Sequence, residues 1–437
     1  MLRLALRLQN PAFLRRFNFH RGLSSMAEGD EIPHFKFWEE PLGLPADEGF
    51  GLFQGGPGDC LGPEGRFTLA AKIGHGSTSS VWLARDSKAN RHVTVKILNG
   101  YTTQLNRENK LRELQVLQRL SAPAVSTARS CARLLDHFYL PGIEDDGEHL
   151  CLVTEFGGSL HFVRQQLPDE GYIPLPIAKR ILRDVLSALA HIHSLGIAHT
   201  DIKPDNILVD LGGVWTGEAI EAWLKSNPPR TYKPMQSLNK MVTSYVTQKF
   251  PPPPFTLVQL ASSSFKLSDF GSAQIVDAQT TDEIVPFDFR PPEIILGGEW
   301  DQSVDIWNFG CVAFHLLTRG TMFAPHPIDI PAGQASAEDV LLFQMVCYTG
   351  ETFSGELLSR CPRTLEFFNR DGSPKKFEAY IDKGMLRCVR EGANGMMSRR
   401  TCGRWLLFCC DVCASTRRTV LLLKSCSRTR GCTLECV

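Results

Sequence analysis

The 437-residue chain lacks net charge: 47 basic residues balance 47 acidic ones, so no global field selects nucleic acid or an anionic membrane as a partner. It lacks an uncharged apolar run of about 18 residues, the length of a membrane span. The nearest candidate, Trp405 to Leu423, is broken by Asp411, Arg417 and Arg418. Internal repeats of solenoid length are absent. So is the even cysteine spacing of a small secreted disulfide framework, because eight of the fourteen cysteines crowd between Cys388 and Cys436. What is present is a hydrophobic content of 43%, enough for a large core in several domain-sized units. Partner choice must therefore come from a local site.

Along the chain, Arg3, Arg7, Arg15, Arg16 and Arg21 precede the first acid, Glu28, as in an organellar transit peptide. Residues 1–27 are read as a mitochondrial leader or, since Met26 opens a leader-free version, as a disordered extension. Residues 28–66, rich in Gly and Pro, read as an irregular arm. Strands are expected at Leu69–Ile73, Ser80–Arg85, His92–Leu98 and His149–Thr154. A helix is expected over Asn106–Leu120, where Leu111, Leu114, Leu117 and Leu120 recur among charges. Helical spacing over Ile177–Leu195 and the nearly apolar Val304–Leu317 predict a mainly helical second part. Asn227-Pro-Pro-Arg230 and Pro251 to Pro254 mark an insertion over about residues 210–264, ordered around Ile220 to Leu224. The expected class is α+β: a small antiparallel lobe over 67–157 with one main helix, a helical lobe over 158–380, and a divergent tail over 381–437.

Four short motifs carry chemistry. Gly74-His75-Gly76 before Ser79 and Val81 reads G-x-G-x-x-S-x-V, whose glycines admit backbone amides to phosphate oxygens; alone, a hairpin turn explains it as well. Val93-Thr-Val-Lys96 puts a lysine in an apolar strand, which is costly unless the cation is paired or holds an anion. Glu113 is the ion-pair partner expected to aim it at phosphates, with Glu108 as rival. His199-Thr-Asp-Ile-Lys-Pro-Asp-Asn206 sets polar functions between apolar strands. There Asp201 would accept a hydroxyl proton, Lys203 neutralise a γ-phosphate and Asn206 ligate Mg²⁺, while His199 is read as structural and Asp205 as solvated. Lys266-Leu-Ser-Asp-Phe-Gly271 adds Asp269, a second hard oxygen ligand for Mg²⁺.

With Phe289-Arg-Pro-Pro-Glu293 in the place of A-P-E and Asp305-Ile-Trp-Asn-Phe-Gly310 beyond it, residues 67–375 resemble the eukaryotic protein kinases. Within that family the chain resembles the SR-protein kinases, which are specific for serine/arginine-rich proteins, and their shorter fungal members above all. The features are Ser79 at the third glycine position, Thr200 in place of arginine, the spacer before Asp269, and Glu299-Trp-Asp-Gln-Ser-Val-Asp-Ile-Trp307. The resemblance implies a two-lobed serine/threonine kinase using ATP and Mg²⁺, with catalytic Asp201 and Lys203 and metal ligands Asn206 and Asp269. It assigns ATP binding to Ile73, Gly74, His75, Gly76, Ser77, Thr78, Ser79, Ser80, Val81, Lys96, Glu113 and Glu155. It further implies action on Arg/Ser-rich splicing factors in cytoplasm and nucleus, and so on messenger RNA processing. A monomer without direct nucleic-acid or membrane contact is expected beside it.

Further expectations follow from single positions. Thr200 removes the cation that would bind a phosphorylated activation loop, so activity without that phosphorylation is expected and Thr280 and Thr281 are plain loop residues. Thr154 widens the adenine pocket, and Glu144-Asp-Asp146, Glu338-Asp339 and Glu351 are candidate docking acids for an arginine-rich substrate, or solvated surface acids. The arginine that the resemblance pairs with Glu293 occurs in no recognisable context. Cys410 and Cys413 have zinc-ligand spacing, but no second C-x-x-C completes the set, and a shifted reading frame or retained intron fits the tail better. The alternatives to an active enzyme are a pseudokinase scaffold and an inactive product with a frame-shifted end.

Overall fold

The computed structural model describes residues 37–122, 130–167, 173–210, 214–238, 240–248, 254–318, 320–330, 333–349 and 352–377. The leader and the cysteine-rich tail lie outside them. Chain contacts divide the protein into two compact units, each discontinuous in sequence: residues up to Asn109 with Leu134–Phe156 and Thr216–Phe250, and the remainder.

The first unit is an antiparallel sheet of β1 (Cys60–Leu61), β2 (Phe67–His75), β3 (Ser79–Asp86), β4 (Arg91–Leu98), β5 (Leu134–Pro141) and β6 (Glu148–Glu155), in the order β1-β2-β3-β4-β6-β5. Strand alternation puts Val93, Val95 and Ile97 into a core with Phe67, Leu69, Trp82 and Val153, so Thr94 and Lys96 face the other way. Phe67 and Phe138 stack at 5.6 Å within that core. Asn99 caps the helix Gly100–Arg107, its Oδ1 accepting from the Thr102 amide at 2.7 Å. Gly100 admits no side chain, because a Cβ there would fall 1.9 Å from the Asp146 carbonyl oxygen.

The described part of the arm and the central part of the insertion belong to this unit. Leu42 and Leu52 of the arm are buried with Val242 of the insertion. The helix Gly217–Ser226 contains the segment expected to be ordered, and Thr216 caps it. Its Glu221 accepts from Arg85 Nε and Nη2 at 2.6 and 2.7 Å and lies 2.8 Å from His92 Nε2.

The expected helix Asn106–Leu120 is two helices, Gly100–Arg107 and Glu113–Leu120, separated at Asn109 with a φ of 55°. Leu114, Leu117 and Leu120 belong to the second and Leu111 to neither; the second helix buries Glu113, Val116, Leu117 and Leu120 and is part of the second unit. Strand β5 was not legible, because Leu134–Pro141 carries little period-two patterning.

The second unit is mainly helical. The helix Leu175–Ser194 buries Ile177, Ile181, Val185, Ala188 and Ile192 at intervals of three and four. The helix Ser303–Thr318 is buried nearly all round, as its apolar sequence requires. A small sheet orders Ser264–Leu267, Ile207–Asp210 and Gly158–Ser159, with Leu267 opposite Ile207. Gln274–Ile275 pairs with Ile197–Ala198. These pairings fix both ends of the loop 199–206 and bring the loop 268–273 beside it. The α+β class is as expected.

Candidate active site

In the second unit the loop is suspended from one buried carboxylate. Asp305, fully buried in the helix Ser303–Thr318, accepts from the amide of His199 at 2.7 Å and the amide of Thr200 at 2.8 Å. Its Oδ2 also lies 2.9 Å from His193 Nε2. His199 is structural: the Asp201 amide donates to its Nδ1 at 3.2 Å, which leaves Nε2 to donate to the Ser268 carbonyl at 3.0 Å. Its ring lies 5.0 Å from that of Phe270. Thr200 and Asp269 both hold left-handed backbone, φ 65° and 62°, an arrangement costly for residues with a Cβ and concentrated at functional sites.

Two donors converge on Asp201. Lys203 Nζ meets Oδ2 at 2.7 Å, and Asn206 Nδ2 meets the same oxygen at 3.0 Å and the Asp201 carbonyl at 2.8 Å. Asp201 Oδ1 is buried with no protein partner among the described residues. An orphaned carboxylate oxygen of this kind costs about 1–3 kcal/mol unless water or a ligand meets it. The Ser268 amide donates to the Asn206 carbonyl at 2.9 Å, tying the loop that carries Asp269 to the loop that carries Asn206. Asp269 is exposed, as is Asp205.

In the first unit, Ile73, Gly74 and His75 end β2 and Ser79, Ser80 and Val81 begin β3, with Gly76, Ser77 and Thr78 forming the turn. The Gly76 amide donates to the Ser79 carbonyl at 2.8 Å, and a Cβ at Gly76 would meet nothing within 4 Å, whereas one at Gly74 would touch Val81 at 3.4 Å. Open space on the loop's backbone suits phosphate approach. Val81 is opposite Lys96 in the β3–β4 register, so the two share a sheet face. Glu155 ends β6 opposite Val93. Glu113 is the first residue of its helix and is 4% exposed.

Most of the candidate docking acids already have structural partners. Asp146 is buried and accepts from Gln54 Nε2 at 2.7 Å, and Glu144 pairs with Lys240. Glu338 holds Arg363 at 2.9 Å and Asp339 holds Lys376 at 2.8 Å. Glu351 lies outside the described residues. The sequence did not assign Asp305 a role, although a charge inside so apolar a helix was the available signal. It also gave no sign of Lys72, Glu39 and Thr247, whose meeting depends on tertiary structure.

A protein kinase domain model matches residues 67–216 and 256–367, more than half of the chain, and the chain belongs to that family. Among its relatives are a serine/threonine-protein kinase SRPK from Physarum polycephalum, 28% identical over 74% of this chain and 73% of that protein. The dual specificity protein kinase lkh1 from Schizosaccharomyces pombe is 29% identical over 72% of this chain, which spans only 40% of lkh1. The serine/threonine-protein kinase AFC1 from Arabidopsis thaliana is 28% identical over 62% of this chain and 50% of AFC1. Relatives of the SRPK type are thus present, in agreement with the resemblance read from the motifs. No helix among the described residues is long and apolar enough to cross a membrane.

Proposed function

We propose that the chain is a protein serine/threonine kinase that transfers the γ-phosphate of ATP to serine hydroxyls of Arg/Ser-rich proteins. The observation that carries the reading is the convergence of Lys203 and Asn206 on one oxygen of Asp201, with the other oxygen buried and without a protein partner. In this reading the Asp201 carboxylate would accept the proton of a serine hydroxyl and orient it for attack. Lys203, within reach of the same carboxylate, counters charge on the transferring phosphoryl group. In the first unit, the loop Gly74–Val81 and Lys96 would hold the phosphates of ATP, with Glu155 at the nucleotide.

The donor set fits Mg²⁺: Asn206 and Asp269 offer hard oxygens on two loops joined by the Ser268–Asn206 bond, and these two would hold it. When bound, the ion neutralises phosphate charge. Thr200 Oγ1 donates to the Ser272 carbonyl at 2.8 Å, so the segment after Asp269-Phe-Gly271 is held by a hydroxyl where the family places an arginine. This supports activity without activation-loop phosphorylation. Action on splicing factors in cytoplasm and nucleus as a monomer belongs to the same reading; mitochondrial import is the alternative that the arginines of the leader offer, and a disordered extension is the other. The scaffold alternative gains no support from relatives that are named as kinases.

The test is phosphate transfer from Mg²⁺-ATP to an Arg/Ser peptide by the full chain. Transfer by the wild type and loss of about 10³-fold or more in Asp201→Ala is the expected result. Nucleotide binding without any transfer by the wild type overturns the proposal in favour of the scaffold.

A further inference from the structure

Lys72 is a buried lysine, 2% exposed, in the strand that leads into the phosphate-covering loop. An ammonium has three donors. Here they go to Glu39 Oε2 at 2.6 Å, to Glu40 Oε2, and to the Tyr245 carbonyl at 3.0 Å. The arm and the insertion are thus joined through a cation on β2, and the Gln248 amide adds a backbone bond to the Lys72 carbonyl at 2.8 Å.

Two buried carboxylates against one ammonium leave a negative charge to be met, and Glu39 meets it with further donors. Its Oε1 accepts from the Thr247 amide at 2.7 Å and from Tyr232 OH at 3.3 Å. Its Oε2 accepts from Thr247 Oγ1 at 2.5 Å and lies 3.2 Å from His75 Nδ1. Despite burial, the hydrogen bonds from His75, Lys72 and Thr247 hold the Glu39 carboxyl well below the usual carboxylate range. Glu39, Glu40 and His75 could ligate a cation by spacing alone, but the Lys72 ammonium already lies against both carboxylates.

The decisive contact is His75, the residue between the two glycines of the loop, whose Nδ1 lies 2.9 Å from Thr247 Oγ1. Gly74 and Gly76 give the loop freedom that must be lost when it closes on phosphates. We infer that Glu39 and Thr247 are positioning residues that brace this loop at His75 and so lower the cost of ordering it on ATP. The role rests on the kinase reading above. It makes the insertion part of the nucleotide-binding apparatus and not a passive spacer.

The test compares the full-length wild type with Thr247→Val, which keeps shape and loses the hydroxyl, and Thr247→Ser, which keeps the hydroxyl. Expected for Thr247→Val are a rise of about 5- to 10-fold in the mantADP dissociation constant and in KM for ATP, the size of one or two lost hydrogen bonds. KM for the peptide should hold within about twofold, amide exchange over residues 74–80 should quicken, and Thr247→Ser should restore all of these. Unchanged nucleotide affinity and unchanged loop exchange in Thr247→Val overturn the brace, as does equal damage to the peptide KM from general unfolding. A wild type that binds no mantADP overturns the kinase reading instead, and the exchange comparison still decides the brace.

Discussion

Glu293→Gln should make the protein more stable at pH 8 and nearly unchanged at pH 5. Glu293 is 8% exposed, its Oε1 has no hydrogen-bond partner among the described residues, and burial, with Asp301 adding negative charge, pushes its carboxyl from 4.5 up to about 7. The folded state therefore binds the proton more tightly than the unfolded one. Its contribution is fully present below pH 4.5, declines as pH rises, and is lost above about pH 7. A shift of that size corresponds to about 3 kcal/mol between the two extremes. Glutamine keeps the shape and removes the charge, so the difference between variant and wild type should grow from under about 1 kcal/mol at pH 5 to about 3 kcal/mol at pH 8. Urea unfolding at intervals of pH reads this directly, and in melting the pH 8 difference should be about 5–10 °C. A difference that does not change with pH, or a variant less stable than wild type at pH 8, would refute the reasoning.

Asp305→Asn should lower kcat by about 10²-fold or more with a smaller effect on nucleotide affinity, because the amides of His199 and Thr200 lose a charged acceptor and the loop bearing Asp201 slackens; single-turnover kinetics beside mantADP binding separates the two. Thr200→Val should cost about 1–2 kcal/mol of stability and reduce activity, while phosphatase treatment of the wild type leaves activity intact; loss of activity on phosphatase treatment would remove the role given to the Thr200–Ser272 bond. Glu221→Gln should change stability by less than about 1 kcal/mol at physiological salt, because the Arg85 pair is nearly half exposed. A urea midpoint lowered beyond that range would show that the insertion helix is held by this pair and not by Ile220.

The parts of the fold legible in the sequence are those governed by local pattern. Val93, Val95 and Ile97 alternate along β4, and the apolar positions of the helix Leu175–Ser194 follow the helical period, so both were readable within a few residues. The loop from His199 to Asn206 was readable because its spacing is chemical. Pattern alone runs Asn106–Leu120 together as one helix because Leu111 falls into the same spacing, and it does not report the left-handed backbone at Asn109 that divides the segment. Asp305, Glu39, Lys72 and Thr247 act by meeting residues far away in the chain. The sequence neighbours of Asp305 and Lys72 say only that a charge lies where burial is expected, and those of Glu39 and Thr247 say nothing of the contact.

The same brace has a consequence for how the chain is made. Lys72 and its acceptor at Tyr245 are 173 positions apart, and the first unit is interrupted twice by segments of the second before Thr216–Phe250 completes it. At ribosomal speeds of about 5–20 residues per second, β2 therefore waits roughly ten to thirty seconds for the carbonyl that its lysine needs. Until then a buried-strand ammonium has only the arm's two glutamates, and the sheet's edge at Lys72 lacks the Gln248 amide. Such long-range closure makes assembly slow and exposes the unfinished sheet to mispairing. The N-terminal arm, synthesised first and carrying both glutamates, is then the chain's own early cover for that lysine.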